Sequence, residues 1–91
     1  MTIEFDRDKD LASEHKLPFA VAGELFDGPF VEEEDSRFDY GETRFSAMGP
    51  IASLGGRICV VVYTWRGHAR RVISFRKAND REIRRYRDSR T

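Results

Sequence analysis

The feature that most constrains the fold is a pair of β-rich segments separated by a two-residue break. Residues 57–66 (RICVVVYTWR) form the most apolar predicted strand of the chain, and residues 70–77 (RRVISFRK) follow just after Gly67 and His68. β-Branched and aromatic residues favour strands, and a short break that contains glycine favours a tight hairpin turn. The sequence therefore predicts a long, basic β-hairpin.

Strict alternation along the second strand of this hairpin predicts which side chains share a face. It places Ile73 and Phe75 on one side and Val72, Ser74 and Arg76 on the other. The remaining predicted elements are, in chain order, a strand at 3–5, a helix that ends near Leu17 and Pro18, a helix that runs from Phe19 and ends at residues 27–29, strands that begin at Phe30 and Thr43, and a helix after Asn79. We therefore expect one α+β domain over residues 1–91, with a largely antiparallel sheet of four to five strands, two N-terminal helices and one C-terminal helix.

Asn79 and Glu82 have the spacing of a capping box at the start of the last predicted helix. Ile83 and Tyr86 then fall on one face of that helix, and arginines occupy much of the remaining surface. The pattern predicts an amphipathic helix with a cationic outer side.

Charge is strongly segregated along the chain although the net charge is zero. Residues 1–45 contain 5 basic and 13 acidic side chains, a net of −8, whereas residues 46–91 contain 11 and 3, a net of +8. An excess of positive charge is what phosphate binding uses. The acidic half, with its run at residues 32–35, either forms a solvated edge strand or meets a basic partner.

The length and composition predict a small, self-contained domain. Cys59 cannot form an internal disulfide and lies in the most apolar strand, which fits a reduced compartment. The first residues lack the basic flank and apolar stretch of a secretory signal, and no run approaches the roughly 18 apolar residues that a membrane span requires. We expect a cytoplasmic protein without a membrane partner.

The order and spacing of several motifs resemble the BrnT family of bacterial type II toxins. The motifs are residues 6–9 (DRDK), 24–29 (ELFDGP), 37–44 (RFDYGETR), 61–66 (VVYTWR) and 71–78 (RVISFRKA), with Gly49, Gly56, Arg57, Arg81, Glu82 and Tyr86. Residues 13–18 depart from the family pattern, because this segment is shorter and His15 precedes Lys16. The resemblance covers most of the chain.

This resemblance implies a RelE-like fold and an RNA-cleaving toxin. It also implies a protein partner, a BrnA-type antitoxin. This antitoxin would inhibit the RNA-cleaving activity, bind DNA and repress the shared operon. DNA would then be only an indirect partner, through the antitoxin. No cofactor is implied.

RNA cleavage without a metal needs groups that grip phosphate, neutralise its developing charge and move protons. Arginine suits the first two tasks, because its planar guanidinium binds phosphate through two hydrogen bonds and stays charged. Six basic residues on or beside the predicted strands are expected to converge on one sheet face; the alternative is that they are solvated or paired with carboxylates. They are Arg44, Arg57, Arg66, Arg71, Arg76 and Lys77.

Three further residues are candidates for proton transfer or charge stabilisation. Lys9 lies in a matching motif, His15 is one of only two histidines, and Tyr86 combines a core-facing ring with a hydroxyl group. The bland alternatives are an exposed lysine, a satisfied histidine and a purely structural tyrosine. His68, in the hairpin turn, is interpreted as structural. Trp65 either stacks on a base or packs in the core.

We therefore predict two groups of site residues. The catalytic group comprises Lys9, His15, Arg44, Arg66, Arg76 and Tyr86, and the RNA-binding group comprises Arg57, Trp65, Arg71 and Lys77. No spacing of histidine, cysteine or carboxylate side chains predicts a metal site. The rival hypothesis is a non-catalytic module that uses the same basic face to bind RNA or protein.

Overall fold

The computed structural model describes residues 3–5, 19–35 and 41–90. The first predicted helix, with Lys9 and His15, lies outside the described residues. The same is true of residues 36–40, which belong to a turn-like segment in the sequence.

The core of the fold is a five-stranded sheet. Its strands are β1 (Ile3–Phe5), β2 (Val31–Asp35), β3 (Arg44–Ile51), β4 (Arg57–Arg66) and β5 (Ala69–Lys77). The spatial order is β1-β5-β4-β3-β2; β1 runs parallel to β5, and every other pairing is antiparallel. The prediction of an α+β chain with a largely antiparallel sheet is confirmed. The RelE-like label stays a prediction.

Three helical segments flank the described strands. They are the 3₁₀ helices η1 (Phe19–Asp27) and η2 (Ala52–Leu54), and the α-helix α1 (Asp80–Arg90). The segment predicted as the second helix is therefore a 3₁₀ helix, whose three-residue turn places Ala22 and Leu25 on one line. At α1 the capping box forms: the Glu82 amide donates to Asn79 Oδ1 (2.8 Å), and the Asn79 amide donates to Glu82 Oε1 (3.0 Å).

We call the side of the sheet covered by η1 the inner face and the other side the outer face. Apolar side chains of η1, β3, β4 and β5 bury one another at the inner face. The cluster consists of Ala22, Leu25, Phe26, Ala47, Ile51, Cys59, Val61, Tyr63, Val72 and Phe75. Helix α1 lies over part of the outer face, where Tyr86 is buried and its hydroxyl donates to the Pro29 carbonyl at 2.5 Å.

A β-bulge in the hairpin overturns the predicted alternation of β5. Val62 and Tyr63 are consecutive on β4, but their partners on β5 are Ser74 and Val72. Ile73, which lies between these partners, is therefore an extra residue of β5. The extra residue reverses the side-chain pattern beyond it. Val72 and Phe75 consequently both enter the inner core, where strict alternation would have separated them.

Candidate nucleic-acid interface

The pairing register places four of the predicted cationic residues on the outer face. Arg71 lies opposite Thr64, and the Phe45–Tyr63 pair sets Arg44 on the other side of Thr64. This gives a row, Arg44–Thr64–Arg71, that we call the outer-face row. Arg66 and Arg76, opposite Ala69 and Val60, point to the same side.

The prediction that all six basic residues converge on one face is wrong for two of them. Arg57 pairs with Ile51, and Lys77 pairs with Cys59, so both belong to the inner-face register. The charges of both cations act on the Cys59 thiol and favour its ionised form, although burial is the larger effect and raises its pKa. Simple proximity in sequence does not distinguish the two faces of a strand.

A groove of about 310 Å³ separates α1 from the outer face of the sheet. Its lining mixes both signs of charge with one hydroxyl group. The residues are Glu33, Glu34, Asp35, Ser46, Val62, Arg76, Glu82 and Arg85. The acidic strand β2 therefore borders the cationic surface directly, and Arg85 of α1 reaches Glu33 across the groove at 3.4 Å. An anion that enters this groove meets arginine from the sheet and carboxylates from the rim.

Within the groove, Arg76 forms a two-pronged ion pair with Glu82. Its Nη1 and Nη2 atoms donate to the two carboxylate oxygens at 2.7 and 2.8 Å. The hydrogen bonds from Arg76 lower the pKa of Glu82 from 4.5 to about 2, although burial acts in the opposite direction. The guanidinium is thus oriented by a carboxylate of the first turn of α1.

Three other predicted or neighbouring polar groups already have partners. Arg44 Nε donates to Glu42 at 3.3 Å, and Thr64 Oγ1 donates to the Thr43 carbonyl at 2.7 Å. The bond from Tyr86 to Pro29 ties α1 to the segment between η1 and β2. This bond gives the tyrosine hydroxyl a structural function.

On the inner face, Trp65 is 46% exposed and lies beside Arg70, which is not among the predicted site residues. The Arg70 guanidinium carbon lies 4.0, 5.1 and 4.6 Å from the ring centres of Phe26, Tyr63 and Trp65. Burial raises the pKa of Tyr63, and the hydrogen bond from its hydroxyl to Glu32 acts in the same direction. Arg70 opposite Trp65 in the hairpin was a usable signal, because cross-strand partners share a face.

Neither a cluster of metal-binding side chains nor a helix that could span a membrane is found in the described part of the chain. Among residues 3–5, 19–35 and 41–90, no group of three or more histidine, cysteine or carboxylate side chains is placed to hold a metal ion. In the same part of the chain, none of the helices combines the length and the apolar character needed to cross a membrane.

Comparison with known families assigns the chain. The family described as "Ribonuclease toxin, BrnT, of type II toxin-antitoxin system" matches residues 5–82. No curated protein gives a significant match to the chain. The match extends over most of the sequence, from β1 to the first turn of α1, and the chain therefore belongs to this family of ribonuclease toxins.

Proposed function

We propose that this member of the BrnT family is an endoribonuclease that needs no metal ion. The ribose 2′-hydroxyl would attack the adjacent phosphorus, which leaves a 2′,3′-cyclic phosphate on one product and a 5′-hydroxyl on the other. Family membership supports ribonuclease activity. The arginines of the outer face support the metal-free route, since guanidinium groups can stabilise charge on the nonbridging phosphate oxygens.

The observation that carries this proposal is the outer-face row beside the groove. Cross-strand neighbours have Cβ atoms about 5 Å apart, so Arg44 and Arg71 start about 10 Å apart on the two sides of Thr64. Arginine side chains that start at this separation are long enough to contact one phosphate group from opposite sides. Arg66, at the end of β4, would hold the neighbouring phosphate, and Arg76 would supply charge from within the groove.

The remaining predicted residues receive different functions in this proposal. Lys9 and His15 are our candidates for proton transfer. Tyr86 anchors α1 through its bond to Pro29. Arg57 and Lys77, on the inner face, contribute general attraction for RNA.

We further propose that the antitoxin is of the BrnA type and that it neutralises the toxin by covering the outer-face row. The family description supports an antitoxin partner. Exposed carboxylates of β2 line the groove beside the cationic outer-face row and would attract basic groups of this partner. DNA would be bound by the antitoxin and not by this chain.

The test uses purified chain and RNA in excess EDTA. We expect products that end in cyclic phosphate, and a loss of about a hundredfold in cleavage rate for Arg71→Ala, comparable to the removal of one charge-stabilising donor. Arg87→Ala is the matched control, because it removes the same charge from an exposed position of α1. Cleavage that disappears with EDTA and returns with a divalent metal would refute the metal-free route.

One observation favours the rival function, a non-catalytic binding module. The hydroxyl groups of Thr64 and Tyr86 are both engaged by backbone carbonyls and are poorly placed to exchange protons with a substrate. Intact RNA together with salt-sensitive binding that is lost in Arg71→Ala would establish this function instead.

A further inference from the structure

We propose that the exposed ring of Trp65 is a stacking platform for an unpaired RNA base, held in position by Arg70. This inference rests on the proposed function and adds a second RNA subsite, on the inner face of the sheet. It defines the preferred substrate as single-stranded RNA, since only an unpaired base can leave the helix to stack on a side chain.

The orientation of Trp65 is fixed from behind by rigid neighbours. The Arg70 guanidinium carbon lies over the rings of Phe26 and Trp65, at 4.0 and 4.6 Å from their centres. The rings of Tyr63 and Trp65 form a T-shaped pair with centres 5.7 Å apart and an interplanar angle of 87°, and both Phe26 and Tyr63 are buried. A ring that is held by buried partners can accept a base without first losing its own conformational freedom.

Exposure of this ring requires an explanation. Trp65 is the one large hydrophobic side chain that is exposed among the described residues. Every base has an aromatic face, and a cation stacked behind the indole adds an electrostatic attraction for the nearby phosphates. An exposed tryptophan backed by arginine therefore suits a nucleotide better than it suits a purely apolar ligand.

The chain also provides a path from the proposed cleavage site to this ring. Trp65 and Arg66 are adjacent on β4 and point to opposite faces, at the end of the hairpin where His68 is also exposed. An RNA strand that crosses the hairpin end would pass from the outer-face row, over Arg66, to Trp65. Glu32 and Glu34 share the inner-face register on β2, two strands from β4, and the Glu32 carboxylate is engaged by the Tyr63 hydroxyl.

The experiment exploits the fact that Trp65 is the only tryptophan of the chain. The full chain is titrated with a short, labelled, single-stranded 2′-O-methyl RNA, which cannot be cleaved, and with an abasic strand that carries the same phosphates. Anisotropy of the label reports binding, and tryptophan emission reports stacking. We expect emission to be quenched by the base-containing strand and to change little when the abasic strand is bound to the same extent.

Variants separate stacking from folding. Trp65→Ala should weaken binding of the base-containing strand about 5- to 150-fold, whereas Trp65→Phe should retain most of the affinity. Arg70→Lys keeps the charge but loses the planar group, so it should reduce quenching in a chain whose thermal unfolding shows that it is folded.

The outcomes distinguish the two proposals. RNA binding that is detected by anisotropy without a change in tryptophan emission would overturn the stacking platform. So would an equal loss of affinity for the base-containing and the abasic strand in Trp65→Ala. Either result would leave the ribonuclease function standing. Absence of binding to either strand would overturn both. If emission responds only when the cognate antitoxin is added, Trp65 belongs to a protein interface and the stacking proposal is wrong.

Discussion

Substitution of Glu82 by glutamine removes the negative partner of Arg76 while it preserves the start of α1. The carboxylate accepts two hydrogen bonds from Arg76 and one from the Asn79 amide. Glutamine is also tolerated at this position of a capping box, so the cap should persist. Glu82→Gln therefore isolates the contribution of the ion pair to stability.

The size of the effect follows from the pKa of Glu82. A decrease from 4.5 to about 2 corresponds to about 3 kcal/mol of preference for the ionised form in the folded chain. The Arg76 side chain is 35% exposed, so water screens part of this interaction. We expect Glu82→Gln to lower the free energy of unfolding at pH 7 by about 1–2 kcal/mol.

Urea denaturation at a series of pH values measures this contribution. Because the folded pKa is lower than the unfolded one, the stabilisation is complete above pH 4.5 and is lost as the pH falls toward 2. The native chain and Glu82→Gln should therefore differ most at neutral pH and converge in acid. Asp27→Asn, which removes an exposed carboxylate at the end of η1, is the control. A difference that stays constant from pH 7 to pH 2 would refute the reasoning.

Three further predictions concern other positions. Glu24→Gln should lower the melting temperature, because the Ser53 amide (2.8 Å) and hydroxyl (2.5 Å) donate to this carboxylate and lower its pKa. The difference in melting temperature between the native chain and the variant should shrink in acid, and an equal difference at every pH would contradict this. Gly49→Ala should cost about 1–3 kcal/mol in urea denaturation, since the new Cβ would lie 3.1 Å from the Pro29 carbonyl, and unchanged stability would show that the backbone yields. Cys59 should react slowly with a thiol reagent until the chain is denatured, because the thiol is buried and its pKa is raised; rapid reaction of the folded chain would show that the site opens.

Local patterns in the sequence were sufficient to predict several elements of the fold. The apolar run of β4 and the glycine turn at Gly67 specify the hairpin, and the spacing of Asn79 and Glu82 specifies the helix start. Each of these signals lies within a few residues of the structure that it produces. Cys59, which lies in the most apolar predicted strand, is buried.

Features that depend on contacts between distant segments could not be predicted. The bulge at Ile73 is specified by pairing of two strands and not by β5 alone. Alternation without this bulge gives the wrong partners for Val72. Likewise, the stack of Arg70 on Phe26 joins residues 44 positions apart, which no local pattern records.

In the candidate site, too, the local pattern was predictable and the pairing of individual side chains was not. Arginine content correctly identified the chain's cationic half, and the register places Arg44, Arg66, Arg71 and Arg76 on one side. The sequence did not reveal that Glu82 occupies two donors of Arg76, because charge counting cannot tell a solvated cation from a paired one. The functions of the site residues stay predictions until the variants are measured.

The parallel pairing of β1 with β5 has a consequence for when this toxin can become functional during synthesis. Ile3 pairs with Arg70, so β1 has no strand to pair with until β5 has been synthesised. Val72 and Phe75 of that late segment also complete the core beneath η1. Any product that stops before Ala69 lacks the strand to which β1 attaches. Termination before Ala69 should therefore yield an unfolded and inactive fragment, so a folded toxin forms only after β5 has been synthesised.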